Sequence, residues 1–197
     1  MSTIPPDLEP DFLLRAYTAG YFPMDDGAHA EGDVLWYDPD PRAVLPLETL
    51  RVPRSVRRVL ARRPYDLRID SAFGEVIESC SAPRDADDGV WISRRFVAAY
   101  TALHVRGLAH SFEAWSNDGL VAGLYGVAIG RAFMAESMFH RAPDAGNVVL
   151  ACCTTFLRDR GFELFDVQFA TPHLERFGVV EIAADEYRRR LDRATRS

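Results

Sequence analysis

The chain has 197 residues, 48% hydrophobic and 26% charged, enough to bury a sizeable core as one domain or as a main domain with a small appendage, and too apolar for intrinsic disorder. Its formal charge of −6 argues against non-specific coating of nucleic acid, and because all 23 basic residues are arginine, schemes built on a lysine amine, such as a Schiff base or a phosphate-loop lysine, are excluded. No apolar run approaches the roughly 18 residues of a membrane span, and residues 1–12 lack the basic start and apolar centre of a secretory signal, so a cytoplasmic protein is expected.

Residues 8–19 (LEPDFLLRAYTA) carry apolar side chains at helical spacing and stop at Gly20, which predicts a short helix. From Tyr21 to Pro46 the density of Pro, Gly and Asp predicts loops, with short strands near Val34–Tyr37 and Ala43–Leu45. Residues 53–63 (PRSVRRVLARR) read as a helix with Val56, Val59 and Leu60 inward and the arginines outward. A strand over Tyr65–Ile69, a helix over Ser71–Ser81 and a polar loop over Pro83–Gly89 follow, then an amphipathic helix over 93–106 closed by Gly107. The period next changes to that of strands. His110–Trp115, Leu120–Ala128 and Ala132–Met138 predict an antiparallel meander that turns at Asn117-Asp118-Gly119 and Gly130-Arg131. Asp144 is placed to cap a long helix through about Arg160, ended by Gly161; Glu163–Phe169 (ELFDVQF) is a strand and Ala184–Ala194 a charged terminal helix. Helix, meander, long helix and strand follow the order of GNAT-type acyltransferases, although many α/β chains share it.

Side chains two apart on a strand share a face, so Asp166 and Gln168 project together from ELFDVQF. A carboxylate that accepts or orients a proton beside an amide that offers a hydrogen bond suits acyl transfer to an amine. The same alternation also marks the wet face of a half-exposed strand. Glu136-Ser137-Met138-Phe139 brings an acid and a hydroxyl to a strand end; the alternative is that Met138 and Phe139 are core and Glu136 an edge charge. Seven arginines between Arg51 and Arg68 fit phosphate contact or a solvated helix face. Arg188–Arg190 with Arg193 and Arg196 read as a solubilising tail. His29, His104, His110, His140 and His173 form no pair of metal-binding spacing, and Cys80, Cys152 and Cys153 form neither a disulfide framework nor a C-x-x-C pattern, so no metal is expected. Ser137 has no G-x-S-x-G elbow around it, and no G-x-G-x-x-G cradle is present.

Several stretches, in order, are Gly20-Tyr21-Phe22-Pro23, the run Leu35 to Leu45 (LWYDPDPRAVL), Trp91-Ile92, Ala109 to Trp115 (AHSFEAW), Leu124 to Ala128 (LYGVA), Glu136-Ser137-Met138-Phe139, and Asp166-Val167-Gln168 with His173 and Gly178. Together they resemble the leucyl/phenylalanyl-tRNA protein transferase family, bacterial enzymes of the N-degron pathway, over roughly residues 12–191. The resemblance implies an α+β fold: a GNAT-like domain with a mainly antiparallel sheet over residues 64–197, preceded by a small N-terminal domain over 1–63. It implies transfer of Leu or Phe from aminoacyl-tRNA to proteins beginning with Arg or Lys, with no metal, cofactor or ATP, since the aminoacyl ester is already activated. Asp166 and Gln168 are then the catalytic pair that assists the acceptor α-amine. Glu136 holds the acceptor or the substrate amine, with Ser137, Met138 and Phe139 beside it, and Trp36 and Trp91 line the pocket for the aminoacyl adenosine. Arg54, Arg57, Arg58 and Arg62 meet the tRNA acceptor stem, which reconciles RNA binding with an acidic whole. A monomer with no membrane partner is expected.

The chain departs from the family pattern in two places. Tyr37-Asp38 stands where the family has Trp-Ser, and His140 to Asn147 (HRAPDAGN) replaces a serine- and lysine-bearing loop, which bears on phosphate contact and acceptor choice. Two other readings stay open from the residues: an acetyl-CoA-dependent N-acetyltransferase, whose glycine-rich loop Arg141–Gly146 only partly imitates, and a non-catalytic module that binds basic N-termini or tRNA ends.

Overall fold

A computed structural model describes residues 8–25, 34–49, 51–82 and 92–196. In chain order the elements are α1 (Pro10–Thr18), β1 (Phe22–Asp25), β2 (Val34–Tyr37), β3 (Arg42–Val44), α2 (Arg54–Arg62), β4 (Asp66–Ile69), α3 (Phe73–Cys80), α4 (Arg94–Val105), β5 (Ala109–Ser116), β6 (Gly119–Ile129), β7 (Ala132–His140), α5 (Ala145–Asp159), β8 (Leu164–Gln168), α6 (Pro172–Glu175), β9 (Val180–Ile182) and α7 (Ala184–Thr195). The segments with a clear period form as expected, and the positive φ of Gly20, Gly107 and Gly161 lets the chain leave α1, α4 and α5 where a side chain would oppose the turn. The polar loop expected over Pro83–Gly89 lies outside the described residues.

Seven strands make one sheet in the order β4-β5-β6-β7-β8-β3-β9, and β1 and β2 pair separately. Every neighbouring pair in the large sheet is antiparallel except β7 with β8. The fold is therefore the expected α+β class with a mainly antiparallel sheet. Period-two alternation sends Tyr125, Val127 and Met134 to a core shared with α1, α3, α4 and α7. It sends Leu124, Phe133 and Phe165 to the opposite face under α2 and α5. Each fully buried Leu or Phe in these layers contributes roughly 1.5–3 kcal/mol, so the sheet is clamped from both sides. Among the described residues no helix is long and apolar enough to cross a membrane.

Three features differ from expectation. β1 forms from a stretch expected to be loop, pairing Phe22 with Tyr37 and Asp25 with Val34; a two-stranded ribbon tolerates Pro23 because it is all edge. β9 joins the far side of β3, burying no strong pattern of its own. Asp144 does not cap α5 with its side chain: it is left-handed at φ 60, and its Oδ1 instead accepts a hydrogen bond from the Asn147 amide at 3.2 Å.

Candidate active site

The geometry begins with a β-bulge. Tyr125 pairs with Ser137 and Gly126 with Ala135, so Glu136 is the extra residue of β7 with no partner on β6. One inserted residue reverses the facing of everything after it. Ala132 and Met134 pack with the α1/α4 core, and beyond the bulge Phe139, not Met138, returns to that core, while Met138 faces the α5 side. Gly126 is needed opposite the bulge, because a Cβ there would lie 2.4 Å from the Met134 carbonyl.

The parallel partner β8 follows β7 only over Ala132–Met134 against Leu164–Asp166. Beyond that the two strands part, and the Gln168 side-chain amide donates to the Ala135 carbonyl at 2.6 Å, supplying across the gap the bond that a ladder would have made. A cavity of about 500 Å³ occupies the opening. Leu124, Met138, Leu150 and Val167 give it an apolar side; Glu136, Ser137 and Gln168 lie at its sheet edge; His140, Asp144, Asn147 and His173 surround the start of α5. His173 Nε2 lies 2.9 Å from Asn147 Oδ1. Burial, then Arg176 and His140, lower the pKa of its imidazole and so disfavour its charged form.

Behind the cavity lies a closed ion pair. Asp166 is fully buried and Arg42 is 1% exposed. Arg42 donates from Nε to Asp166 Oδ1 at 3.0 Å and from Nη2 to Oδ2 at 2.7 Å, a bidentate fork that fixes both groups. Oδ2 also accepts the Tyr187 hydroxyl at 2.9 Å, and Oδ1 accepts the Gln168 backbone N–H at 2.9 Å. Burial alone would weaken the Arg42 hold on its proton, and the Asp166 carboxylate more than reverses this, raising the guanidinium further.

Glu136 is enclosed differently. The Tyr100 hydroxyl donates to its Oε2 at 2.9 Å; having given its one proton there, Tyr100 receives the Tyr17 hydroxyl at 2.6 Å. Oε1 is shut off from solvent and has no hydrogen-bond partner among the described residues, and the same holds for the Tyr125 hydroxyl. Burial pushes the Glu136 carboxyl from 4.5 up to about 7, against the lowering pull of the Tyr17 and Tyr100 hydroxyls. Burial first, and the nearby Glu136 carboxylate second, drive Tyr17, Tyr100 and Tyr125 well above the usual phenol range.

The expected site residues therefore divide. Glu136, Ser137, Met138 and Gln168 line one cavity. Asp166 stands behind it, not on a wet face: all of β8 is buried, and Gln168 leaves the strand conformation at φ 59, so the two side chains do not share a face in the simple alternation expected. Glu136 is no edge charge, since β7 lies inside the sheet. Phe139 is core, packed near α3. Trp36 contacts Phe12, with ring centroids 5.5 Å apart, and lines a separate shallow cleft with Arg15, Ala16 and Tyr21. Trp91 lies outside the described residues. Arg54, Arg57, Arg58 and Arg62 are exposed on α2. Arg42 and Asn147 lie in stretches that the resemblance singles out without giving them a role, and Tyr100, Tyr187 and Leu150 carry no local signal of a site.

A mainly antiparallel sheet with a bulged central strand, a parallel pair that parts beyond it, and a long helix starting at the gap define an α+β layout whose cavity opens where the parallel strands separate. Residues 44–192 match the leucyl/phenylalanyl-tRNA protein transferase family and residues 6–40 its N-terminal domain, and the chain belongs to this family. Proteins called leucyl/phenylalanyl-tRNA–protein transferase are similar to it along their length. That of Akkermansia muciniphila is 45% identical over 95% of this chain and 96% of its own. That of Anaeromyxobacter dehalogenans is 49% identical over 95% and 80%, and that of Novosphingobium aromaticivorans 46% identical over 100% and 74%.

Proposed function

We propose that the chain transfers Leu or Phe from aminoacyl-tRNA to the N-terminal α-amine of proteins beginning with Arg or Lys, marking them for degradation, and that it acts in the cytoplasm as a monomer. Its family membership supports the reaction class. The observation that carries the site assignment is a cavity at the strand opening that Glu136 and Gln168 line together with an apolar wall, with the enclosed Glu136 Oε1 beside it lacking a hydrogen-bond partner among the described residues. Native proteins seldom leave a buried acceptor unpaired, and a cationic or amine group of the acceptor would satisfy it.

In this reading the donor side chain enters among Leu124, Met138, Leu150 and Val167, an apolar wall that suits Leu or Phe. The α-amine attacks the ester carbonyl, a C–N bond forms, the ester C–O bond breaks, and the amine proton passes to the departing ribose oxygen. Gln168 is the group beside the reacting amine, and its carboxamide oxygen can accept an N–H while its nitrogen is anchored on Ala135. Asp166 already accepts four donors, which supports a role in holding Gln168 over one as a base. Water exclusion by the apolar wall protects the ester. Trp36 serves the adenosine from its own cleft, and the exposed α2 arginines serve the acceptor-stem phosphates.

The test is transfer of radiolabelled leucine from Leu-tRNA to a peptide with N-terminal Arg, by the native chain and by Gln168→Ala. Transfer that depends on Gln168 supports the reading. A folded native chain that labels neither Arg nor Lys peptides sinks it.

A further inference from the structure

Gln168 is a non-glycine residue in left-handed conformation, which costs energy and persists only where surrounding contacts impose it. Three contacts hold it there: its backbone N–H on Asp166 Oδ1, its side-chain amide on the Ala135 carbonyl, and the Phe169 N–H on the Val167 carbonyl across it; the first makes the position of the Asp166 carboxylate bear directly on Gln168. Two chain segments remote in sequence meet there. Arg42 takes both oxygens and is itself tied to the Gly20 carbonyl at 3.1 Å; its guanidinium lies between the rings of Phe22 and Tyr187, 4.6 and 4.4 Å from their centroids. Tyr187 adds its hydroxyl to Oδ2.

Tyr187 comes from α7, which is not a solubilising tail. Ala184, Tyr187, Leu191 and Ala194 are buried. The helix is docked by the Ala184 N–H on Asp40 Oδ1 at 3.1 Å, by an Arg188–Asp38 ion pair, and by the Arg131 N–H on the Ala194 carbonyl at 2.7 Å. Asp38 is one of the positions where this chain departs from the family pattern.

We infer that Tyr187 on the C-terminal helix, together with Arg42, is a positioning residue for aminoacyl transfer: through the Asp166 carboxylate it holds the backbone, and with it the carboxamide, of Gln168 in reacting geometry. This rests on the proposed reaction. Tyr187 lines neither the 500 Å³ cavity nor the Trp36 cleft, so its effect is expected on the rate of the chemical step and not on substrate affinity.

The experiment compares Tyr187→Phe, which keeps the ring against Arg42 and removes the hydroxyl, with the native chain and with Glu186→Gln, an exposed change on the same helix. All are assayed well below their unfolding midpoints, with saturating and limiting Leu-tRNA and Arg-peptide. Tyr187→Phe is expected to lower kcat about 10- to 100-fold, the size of effect that small misplacement of a reacting group produces, with KM for both substrates within about twofold, and Glu186→Gln to match the native chain. The side-chain N–H resonances of Gln168, assigned by their loss in Gln168→Ala, and its backbone N–H, assigned by sequential connectivity, should move in Tyr187→Phe. A lowered midpoint with native kcat and unmoved Gln168 resonances would mean that Tyr187 only stabilises α7, and would overturn the inference. Should the native chain transfer nothing, the proposed reaction fails, and the resonances still decide whether Tyr187 governs Gln168.

Discussion

Glu136→Gln separates a carboxyl reserved for a ligand from one that serves the fold. In the folded chain burial lifts Glu136 from 4.5 to about 7. Between those values the folded chain keeps a proton that the unfolded chain has released, so stability falls as pH rises across that window and stays low above it. At about 1.4 kcal/mol per tenfold change the full cost is about 3 kcal/mol, of which about 2 kcal/mol falls between pH 5.5 and 8. The amide cannot ionise and still offers an oxygen to the Tyr100 hydroxyl. Its N–H group meets the same unpartnered surroundings as Oε1, at a cost of about 1 kcal/mol that does not vary with pH. Urea unfolding of both proteins at pH 5.5 and 8 should therefore show the variant gaining about 2 kcal/mol on the native chain as pH rises, while transfer to an Arg peptide collapses. A stability difference that stays constant between the two pH values would mean that Glu136 is already ionised and satisfied, and the idea of an acceptor-reserved oxygen would be wrong. In the native chain a bound cation permits ionisation, so KM for the acceptor should fall as pH rises towards 7, and the variant should lose that dependence.

Asp166→Ala strands the Arg42 guanidinium in the core and frees the Tyr187 hydroxyl and Gln168 N–H; a loss of about 3–5 kcal/mol is expected in urea unfolding, and a loss under about 1 kcal/mol would mean that water reaches the pair. Arg57→Gln with Arg58→Gln should leave unfolding unchanged, since both side chains are exposed, and should flatten the salt dependence of tRNA binding by about 0.9 in log–log slope for each duplex phosphate that these arginines neutralise; an unaltered slope would make α2 a solvated face.

The scaffold was legible because its signals are local. Three glycines with positive φ end three helices, and period-two runs over residues 109–140 build the meander. The site was less legible because each of its parts breaks the local rule that surrounds it. AFMAESMF reads as one unbroken strand, and nothing in it marks Glu136 as an inserted residue; the bulge is imposed by pairing with β6, where Gly126 leaves room. ELFDVQF reads as a strand too, yet Gln168 turns left-handed where Asp166, held by a partner 124 residues away, captures its N–H. Resemblance named Asp166, Gln168 and Glu136 as a group, but it could not divide them by environment. That division carries the chemistry. Asp166 has every lone pair engaged and is locked, Glu136 keeps one buried oxygen unspent and titrates near neutrality, and Gln168 stands between them with a strained backbone and a carboxamide at the cavity. A site assembled from such violations persists only while distant segments enforce it, which is why the first and last helices, α1 through Gly20 and Tyr17 and α7 through Tyr187, belong to its physics although neither carries a recognisable motif of reaction.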